Sequence, residues 1–130
     1  MKIGFIGLGN MGLPMAENLQ KEGHEVTGFD IKKNINSKIR ISYNIQEIIK
    51  NNNAIFTMLP SGKEVIAVYN EIIDKCDSST IMVDCSTIDI KSSRLIADLS
   101  KKNGLLTLDA PVSGGVVGAV NGLSLIQISE

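Results

Sequence analysis

Three glycines near the start of the chain, Gly7, Gly9 and Gly12, have the spacing Gly-x-Gly-x-x-Gly. Gly7 is expected to permit a tight turn after a strand, and Gly9 to let a phosphate approach the backbone N–H groups. Gly12 is expected to let the next helix pack closely, with the partial positive charge of its N-terminus facing the phosphates. The predicted loop comprises Gly7, Leu8, Gly9, Asn10, Met11 and Gly12. A glycine-rich turn without a ligand is the alternative.

Asp30 supplies the second part of the pattern, because it ends a predicted strand 18 residues after Gly12. A strand, a glycine loop, a helix and a second strand ending in an acidic residue are typical of dinucleotide binding. The carboxylate would accept hydrogen bonds from ribose hydroxyls and repel a 2′-phosphate, so we expect NAD, with NADP less favoured. Lys32 and Lys33 either offset that repulsion or belong to a solvated loop.

Three further loops follow predicted strands, at the sheet edge where open α/β sheets bind ligands. They are Leu59–Ser61, Cys85–Ile88 and Ala110–Gly115. In the third loop, a serine and two glycines are suited to hold a carboxylate through backbone N–H groups and a hydroxyl. In the second loop, Ser86 and Thr87 are interpreted either as a helix cap or as contacts to the nicotinamide.

The remaining chemistry-bearing side chains give no catalytic candidate. His24 lies in a turn at the opposite edge of the predicted sheet, and Lys63 lies in the exposed first turn of a helix. Cys76 and Cys85 match no metal-ligand spacing, so we expect no metal and a reducing, cytoplasmic location. Cys85 is interpreted as an unreactive core residue.

Strands and helices alternate along the 130 residues. Strands are predicted at Lys2–Gly7, Glu25–Asp30, Ala54–Leu59, Thr80–Cys85, Leu105–Ala110 and Leu123–Ile128. Helices are predicted at Met11–Glu22, Ile31–Ser42, Asn44–Asn51, from the Ser61–Glu64 capping box to Ile73, and at Asp89–Lys102, with a loop at Val112–Gly122. This order predicts an α/β fold of the Rossmann type: one doubly wound domain, residues 1–130, with a mostly parallel sheet and helices on both faces.

Composition excludes several other classes. The net charge is −1 and 43% of the residues are hydrophobic, so we expect a globular core and neither nucleic acid nor a membrane surface as a partner. The longest apolar runs are too short to span a bilayer, and glycines interrupt the apolar start of the chain, unlike a signal peptide.

Four ordered motifs carry a more specific likeness: Phe5–Leu19, Thr57–Pro60, Asp84–Ile88 and Asp109–Gly115. Together they resemble the 3-hydroxyisobutyrate dehydrogenase (β-hydroxyacid dehydrogenase) family over essentially the whole chain. The resemblance implies NAD(P)-dependent oxidation of a short β-hydroxyacid to its semialdehyde. It also implies cofactor contacts from Leu59, Pro60 and Thr87, and a substrate carboxylate held by Ser113, Gly114 and Gly115.

The same resemblance implies a second, all-helical domain that carries the family's catalytic lysine and most of its dimer interface, and no part of this chain matches it. We therefore assign no catalytic residue and expect the chain alone to bind NAD without turnover. The alternatives are a non-catalytic NAD-binding remnant and one half of a split dehydrogenase. We also expect a homodimer through apolar residues of Val112–Ile128, or association with a separate helical half.

Overall fold

The computed structural model of the chain describes residues 1–113 and 125–126. The strands are β1 Lys2–Ile6, β2 Glu25–Phe29, β3 Arg40–Ser42, β4 Ala54–Thr57, β5 Ile81–Asp84, β6 Leu106–Asp109, β7 Val112–Ser113 and β8 Leu125–Ile126. The helices are α1 Gly12–Lys21, α2 Ile45–Ile48, α3 Gly62–Ile72 and α4 Ile90–Lys102, with a 3₁₀ turn at Ile73–Lys75.

Six strands form one parallel sheet in the order β3-β2-β1-β4-β5-β6, and β7 pairs with β8 in a separate antiparallel sheet. The order reverses at β1, which lies between β2 and β4. The predicted α/β fold of the Rossmann type is therefore confirmed, and the reversal marks the place where such sheets bind ligands.

Two apolar clusters cover the two faces of the sheet. Ile6 belongs to one cluster with Tyr69 of α3 and Ile96 of α4, while Phe5 belongs to the other with Ala16 of α1. Neighbouring residues of β1 therefore point to opposite helix layers, as expected for a strand buried on both faces. Burial of each large side chain contributes about 1.5–3 kcal/mol, so these layers fix the strand ends that form the site.

The predicted helix at Ile31–Ser42 is wrong, because this segment contains the edge strand β3 and no helix. Asn34 has a positive φ of 61°, which interrupts any helix. Ile35 and Ile39 do pack against the core. Both residues precede β3 and lie in neither a helix nor a strand, so the four-residue spacing of buried side chains did not identify a helix here.

The segment after residue 110 also differs from the prediction. Val112 and Ser113 form β7 inside the predicted loop, and Leu125–Ile126 pairs with them instead of joining the parallel sheet. The sixth strand of that sheet is β3. The rest of the predicted Val112–Gly122 loop and Leu123–Ile128 strand lies outside the described residues.

The predicted starts of α2 and α3 agree with the structure in position, whereas α2 ends at Ile48, three residues before the predicted end at Asn51. Asn44 caps α2 as predicted, accepting a hydrogen bond from the Gln46 N–H at 3.0 Å. At α3, the Ser61 hydroxyl donates to the Glu64 carboxylate and makes no bond to the helix backbone. In α4, Ile96 is buried as expected, but Leu95 is half exposed.

Candidate dinucleotide-binding site

A cavity of about 530 Å³ opens at the carboxyl ends of β1, β2 and β4, where the strand order reverses. This volume lies in the range of about 300–1,000 Å³ typical of small-molecule sites. Eight of the residues predicted to bind a cofactor line it: Gly7, Gly9, Asn10, Met11, Gly12, Asp30, Leu59 and Pro60. The structure thus brings the glycine loop, the acidic residue and the Leu-Pro loop together.

Two of the three glycines are required by the protein itself. Gly7 has a φ of +102°, and a Cβ there would lie 2.2 Å from the carbonyl oxygen of Met58. A Cβ on Gly12 would lie 1.8 Å from the carbonyl oxygen of Gly7. Gly7 therefore makes the turn after β1, and Gly12 allows α1 to start directly against that turn.

Gly9 is different, because a Cβ added there would meet no atom of the described residues within 4 Å. The residue lines the cavity and does not have a positive φ. Neither packing nor backbone conformation thus explains why position 9 is a glycine, whereas a phosphate approaching the backbone would need this open space.

The N-terminus of α1 faces the same cavity through Met11 and Gly12. Within residues 1–113 and 125–126, no side chain caps this end of the helix, and its first turn carries no acidic residue. An uncapped N-terminus offers backbone N–H donors and the positive end of the helix dipole. This arrangement favours an anionic group such as a pyrophosphate.

Asp30 connects the glycine loop to the end of β2. Its Oδ2 accepts a hydrogen bond from the Leu8 N–H at 2.7 Å, and its Oδ1 accepts one from the Lys32 N–H at 2.9 Å. A carboxylate has about four acceptor positions, so it can still receive ribose hydroxyls. Leu8 contributes this backbone bond only, since its side chain is buried and does not line the cavity.

Hydrogen bonds between loops hold the Leu-Pro segment in place. The Leu59 N–H donates to the Ser86 hydroxyl at 2.8 Å, and the Ser86 N–H donates to Asp84 Oδ1 at 3.1 Å. The Thr57 hydroxyl donates to the same Oδ1 at 2.8 Å. The loops after β4 and β5 are therefore tied to each other beside the cavity.

Thr87 is exposed and, like the Leu8 side chain, does not line the cavity, although both residues were predicted to contact the cofactor. The alternative that Ser86 or Thr87 caps a helix is wrong, because Asp89 is the N-cap of α4 and accepts from the Ser92 N–H at 3.1 Å. Ser113 lies in β7, but its side chain is outside the described residues. The predicted substrate contacts Gly114 and Gly115 also lie outside them.

Two carboxylates give the cavity a negative edge. Glu64 of α3 lines it together with Asp30. The hydrogen bond from the Ser61 hydroxyl lowers the pKa of Glu64 below its usual range, so this carboxyl is ionised at neutral pH. An additional phosphate near these groups would be repelled.

The titratable residues Asp84, Tyr69, Cys85 and His24 lie in the core or at the amino edge of the sheet, and none of them lines the cavity. Burial raises the pKa of Asp84, and its Oδ2 has no hydrogen-bond partner among the described residues. Burial also raises the pKa of Tyr69, and it raises the pKa of the Cys85 thiol to about 12. His24 lies at the amino edge, with Nδ1 3.2 Å from the N-terminal nitrogen.

Several cavity residues were not predicted from the sequence. Ile31 follows Asp30 directly, and Glu64, Ala67 and Val68 come from the first two turns of α3. The position of Ile31 beside the acidic residue, and the i, i+3, i+4 spacing of the α3 residues, were the available signals. These four residues form a second, largely apolar wall of the cavity, apart from the glycine loop.

Within residues 1–113 and 125–126, no three His, Cys, Asp or Glu side chains lie close enough together to hold a metal ion. A search of the same part of the chain found no helix with the length and hydropathy needed to cross a bilayer.

The fold, the uncapped helix N-terminus and the open space at Gly9 define a dinucleotide-binding domain of the Rossmann type. A sequence model of the family described as the NAD binding domain of 6-phosphogluconate dehydrogenase matches residues 2–128. The chain belongs to this family. The family and its relatives support a nicotinamide dinucleotide as the cofactor.

Curated relatives carry the more specific likeness. A mitochondrial 3-hydroxyisobutyrate dehydrogenase of Drosophila melanogaster is 44% identical over 126 residues, which cover 90% of this chain and 38% of that protein. A probable 3-hydroxyisobutyrate dehydrogenase of Mycobacterium tuberculosis is 38% identical over 122 residues, covering 90% and 42%. The predicted resemblance is confirmed, and the chain spans about two fifths of these relatives' length.

Two solved structures superimpose on this chain over most of its length. Mycobacterium tuberculosis 3-hydroxyisobutyrate dehydrogenase, solved with L-serine, superimposes with a TM-score of 0.94 at 35% identity, covering 98% of this chain and 46% of that one. An imine reductase from Myxococcus stipitatus, in complex with NAD⁺, has a TM-score of 0.80 at 12% identity and shares the fold alone.

Proposed function

We propose that this chain is the NAD-binding part of a dehydrogenase of the 3-hydroxyisobutyrate type, and that residues 1–130 act as one domain. The observation that carries the proposal is the open space at Gly9, in front of the uncapped N-terminus of α1. No described residue packs into that space, and it has the position and electrostatics needed by a pyrophosphate.

The residues present fit the cofactor. The loop Gly7–Gly12 would hold the pyrophosphate, and Asp30 would accept ribose hydroxyls. Leu59 and Pro60 would form a wall beside it, as the family resemblance implies. When bound, the nicotinamide supplies a site that accepts or donates hydride. The protein supplies position and a partly apolar surface.

NAD is proposed over NADP because two carboxylates give the cavity a negative edge. Asp30 and Glu64 both line it, and the pKa of Glu64 is lowered, which keeps it charged. Lys32 is exposed, and its N–H is bonded to Asp30. A 2′-phosphate would therefore be repelled by these carboxylates.

The proposed substrate is a short β-hydroxyacid. L-serine, present in the structure of the Mycobacterium tuberculosis relative, is itself a short acid with a β-hydroxyl group. Ser113, Gly114 and Gly115 are proposed to hold the substrate carboxylate, on the resemblance alone. A cytoplasmic location, and a homodimer or a complex with a separate helical half, belong to the same proposal.

Hydride transfer from an alcohol to NAD, or from NADH to the corresponding carbonyl, also needs a group that takes up or supplies the hydroxyl proton. Among the residues that the structure describes, no lysine, histidine or tyrosine lines the cavity. This favours a second candidate beside the dehydrogenase: a module that binds NAD without turnover, or one half of a split enzyme. In either case we propose that the chain alone has negligible activity.

A paired assay tests the proposal. NADH binding is followed by fluorescence, and oxidation of 3-hydroxyisobutyrate or L-serine by NAD is followed at the nicotinamide absorbance. We expect saturable binding of NADH, tighter than that of NADPH, and no turnover by the chain alone. Absence of binding would reject the cofactor site, and turnover would reject the non-catalytic alternative.

A further inference from the structure

Four residues form a continuous connection from the middle of the sheet to the edge of the cavity. Thr57, Asp84 and Ser86 are almost wholly buried, with exposed fractions of 0%, 3% and 1%. Thr57 and Asp84 are direct neighbours in the register of β4 and β5. Asp84 Oδ1 accepts from the Thr57 hydroxyl and the Ser86 N–H, and the Ser86 hydroxyl accepts from the Leu59 N–H.

The connection reaches the glycine loop through the same segment. A Cβ on Gly7 would lie 2.2 Å from the Met58 carbonyl oxygen and 3.0 Å from Leu59 Cδ2. The backbone at Met58–Leu59 is therefore the surface on which the Gly7 turn rests. A shift of that segment would move Pro60 and the glycine turn together, on two sides of the cavity.

The burial of Asp84 costs free energy that a purely structural role does not explain. A carboxyl in this interior loses its hydration, and one of its oxygens has no hydrogen-bond partner among the described residues. An apolar side chain would fill the same space at lower cost. An apolar side chain would not, however, provide an oxygen that accepts hydrogen bonds from both the Thr57 hydroxyl and the Ser86 N–H.

We propose that Asp84 and Ser86 are positioning residues that hold the Leu59–Pro60 loop, and with it the Gly7 turn, in the conformation that receives the dinucleotide. The inference rests on the proposed function, because the loop has a binding role only if the cavity takes a dinucleotide. Neither side chain lines the cavity, so both act through Leu59 and not by contact with the cofactor.

Ser86→Ala tests the proposal, and Ser100→Ala is its matched control. Both serines are 1% exposed, and each hydroxyl makes one hydrogen bond of 2.8 Å, Ser86 with the Leu59 N–H and Ser100 with the Ile96 carbonyl inside α4. The two variants should lower the melting temperature by similar amounts. Only Ser86→Ala should weaken NAD binding, by about five-fold or more, and Ser100→Ala should leave the Kd within about two-fold.

Hydrogen exchange without cofactor tests the positioning directly. The Leu59 amide should exchange faster in Ser86→Ala than in the wild type, and at the wild-type rate in Ser100→Ala. If the wild-type chain binds no dinucleotide, the proposed function fails, while the exchange rates still decide whether Ser86 holds the loop. Unchanged exchange at Leu59 in Ser86→Ala overturns the inference. So does an unchanged Kd, or an equal rise in Kd for both variants.

A second pair keeps the test available if Ser86→Ala does not fold. Thr57→Val removes the hydroxyl that donates to Asp84 at nearly the same volume, whereas Thr57→Ser keeps it. We expect Thr57→Ser to bind NAD more tightly than Thr57→Val and to protect the Leu59 amide better. Equal affinity and equal protection in this pair would contradict a role for the Asp84 connection.

Discussion

Replacing Gly9 by valine should separate binding from folding. A Cβ at this position meets no atom within 4 Å in the part of the chain that the structure describes, and the backbone does not have a positive φ. The side chain therefore enters open space, and we expect the free energy of unfolding to change by less than about 1 kcal/mol. The same side chain would occupy the space through which a phosphate reaches the backbone N–H groups.

The expected loss of affinity follows from those N–H groups. A hydrogen bond to a charged group contributes about 1.5–3 kcal/mol, so losing one weakens binding about ten- to hundred-fold. Thermal denaturation gives the stability and NADH fluorescence gives the Kd. Gly12→Ala is the contrasting variant, because its Cβ would lie 1.8 Å from the Gly7 carbonyl oxygen.

Gly12→Ala should destabilise the fold by about 1–3 kcal/mol or more, since the nearest atoms are backbone and cannot rotate away. Both NAD binding and stability should then fall in Gly12→Ala, whereas only NAD binding should fall in Gly9→Val. Wild-type affinity in Gly9→Val would refute the reasoning, because the loop would then be only a turn. A large loss of stability in that variant would also refute it.

Three further changes have defined outcomes. Asp30→Ala should remove the preference for NAD over NADP, a difference of about 1–3 kcal/mol, as measured by competitive binding; an unchanged preference would place the discrimination elsewhere. Burial raises the pKa of Asp84 above 3.8, so the folded state binds the proton more tightly than the unfolded state does. The contribution of Asp84 to stability should therefore increase as the pH falls from the raised pKa towards 3.8. Chemical denaturation of Asp84→Asn across that range should lack this increase. Cys85, whose pKa is raised to about 12, should resist alkylation at pH 8 in the native chain and react once denatured, and rapid native alkylation would show that the strand opens.

The parts of the site that the sequence predicted are those set by local chemistry. Gly7, Gly12 and Asp30 lie where the motif places them, because a turn, a helix start and a strand end are fixed by neighbouring residues. Helix α2 with its Asn44 cap, and helix α3 with its Ser61–Glu64 pair, were found for the same reason. The spacing of Ile35 and Ile39 suggested a helix, but both lie in irregular backbone before the three-residue strand β3, so β3 was missed.

What the sequence did not predict depends on contacts between distant segments. The bond from the Leu59 N–H to the Ser86 hydroxyl joins residues 27 positions apart, and no local pattern encodes it. The apolar wall of Ala67 and Val68 required the crossing of α3 over the end of β1. Leu95 had helical spacing for the core, but the rotation of α4 exposes it.

A titration of the isotope-labelled chain with NAD, followed by amide chemical shifts, tests the binding site most directly. The amides of Gly9, Asn10, Asp30 and Leu59 should shift and saturate at one equivalent, because these residues surround the cavity or its edge. Amides at the amino edge, such as those of His24 and Asn53, should not move. Shifts confined to the amino edge, or no shifts with NAD in large excess, would contradict the assignment of this cavity as a dinucleotide site.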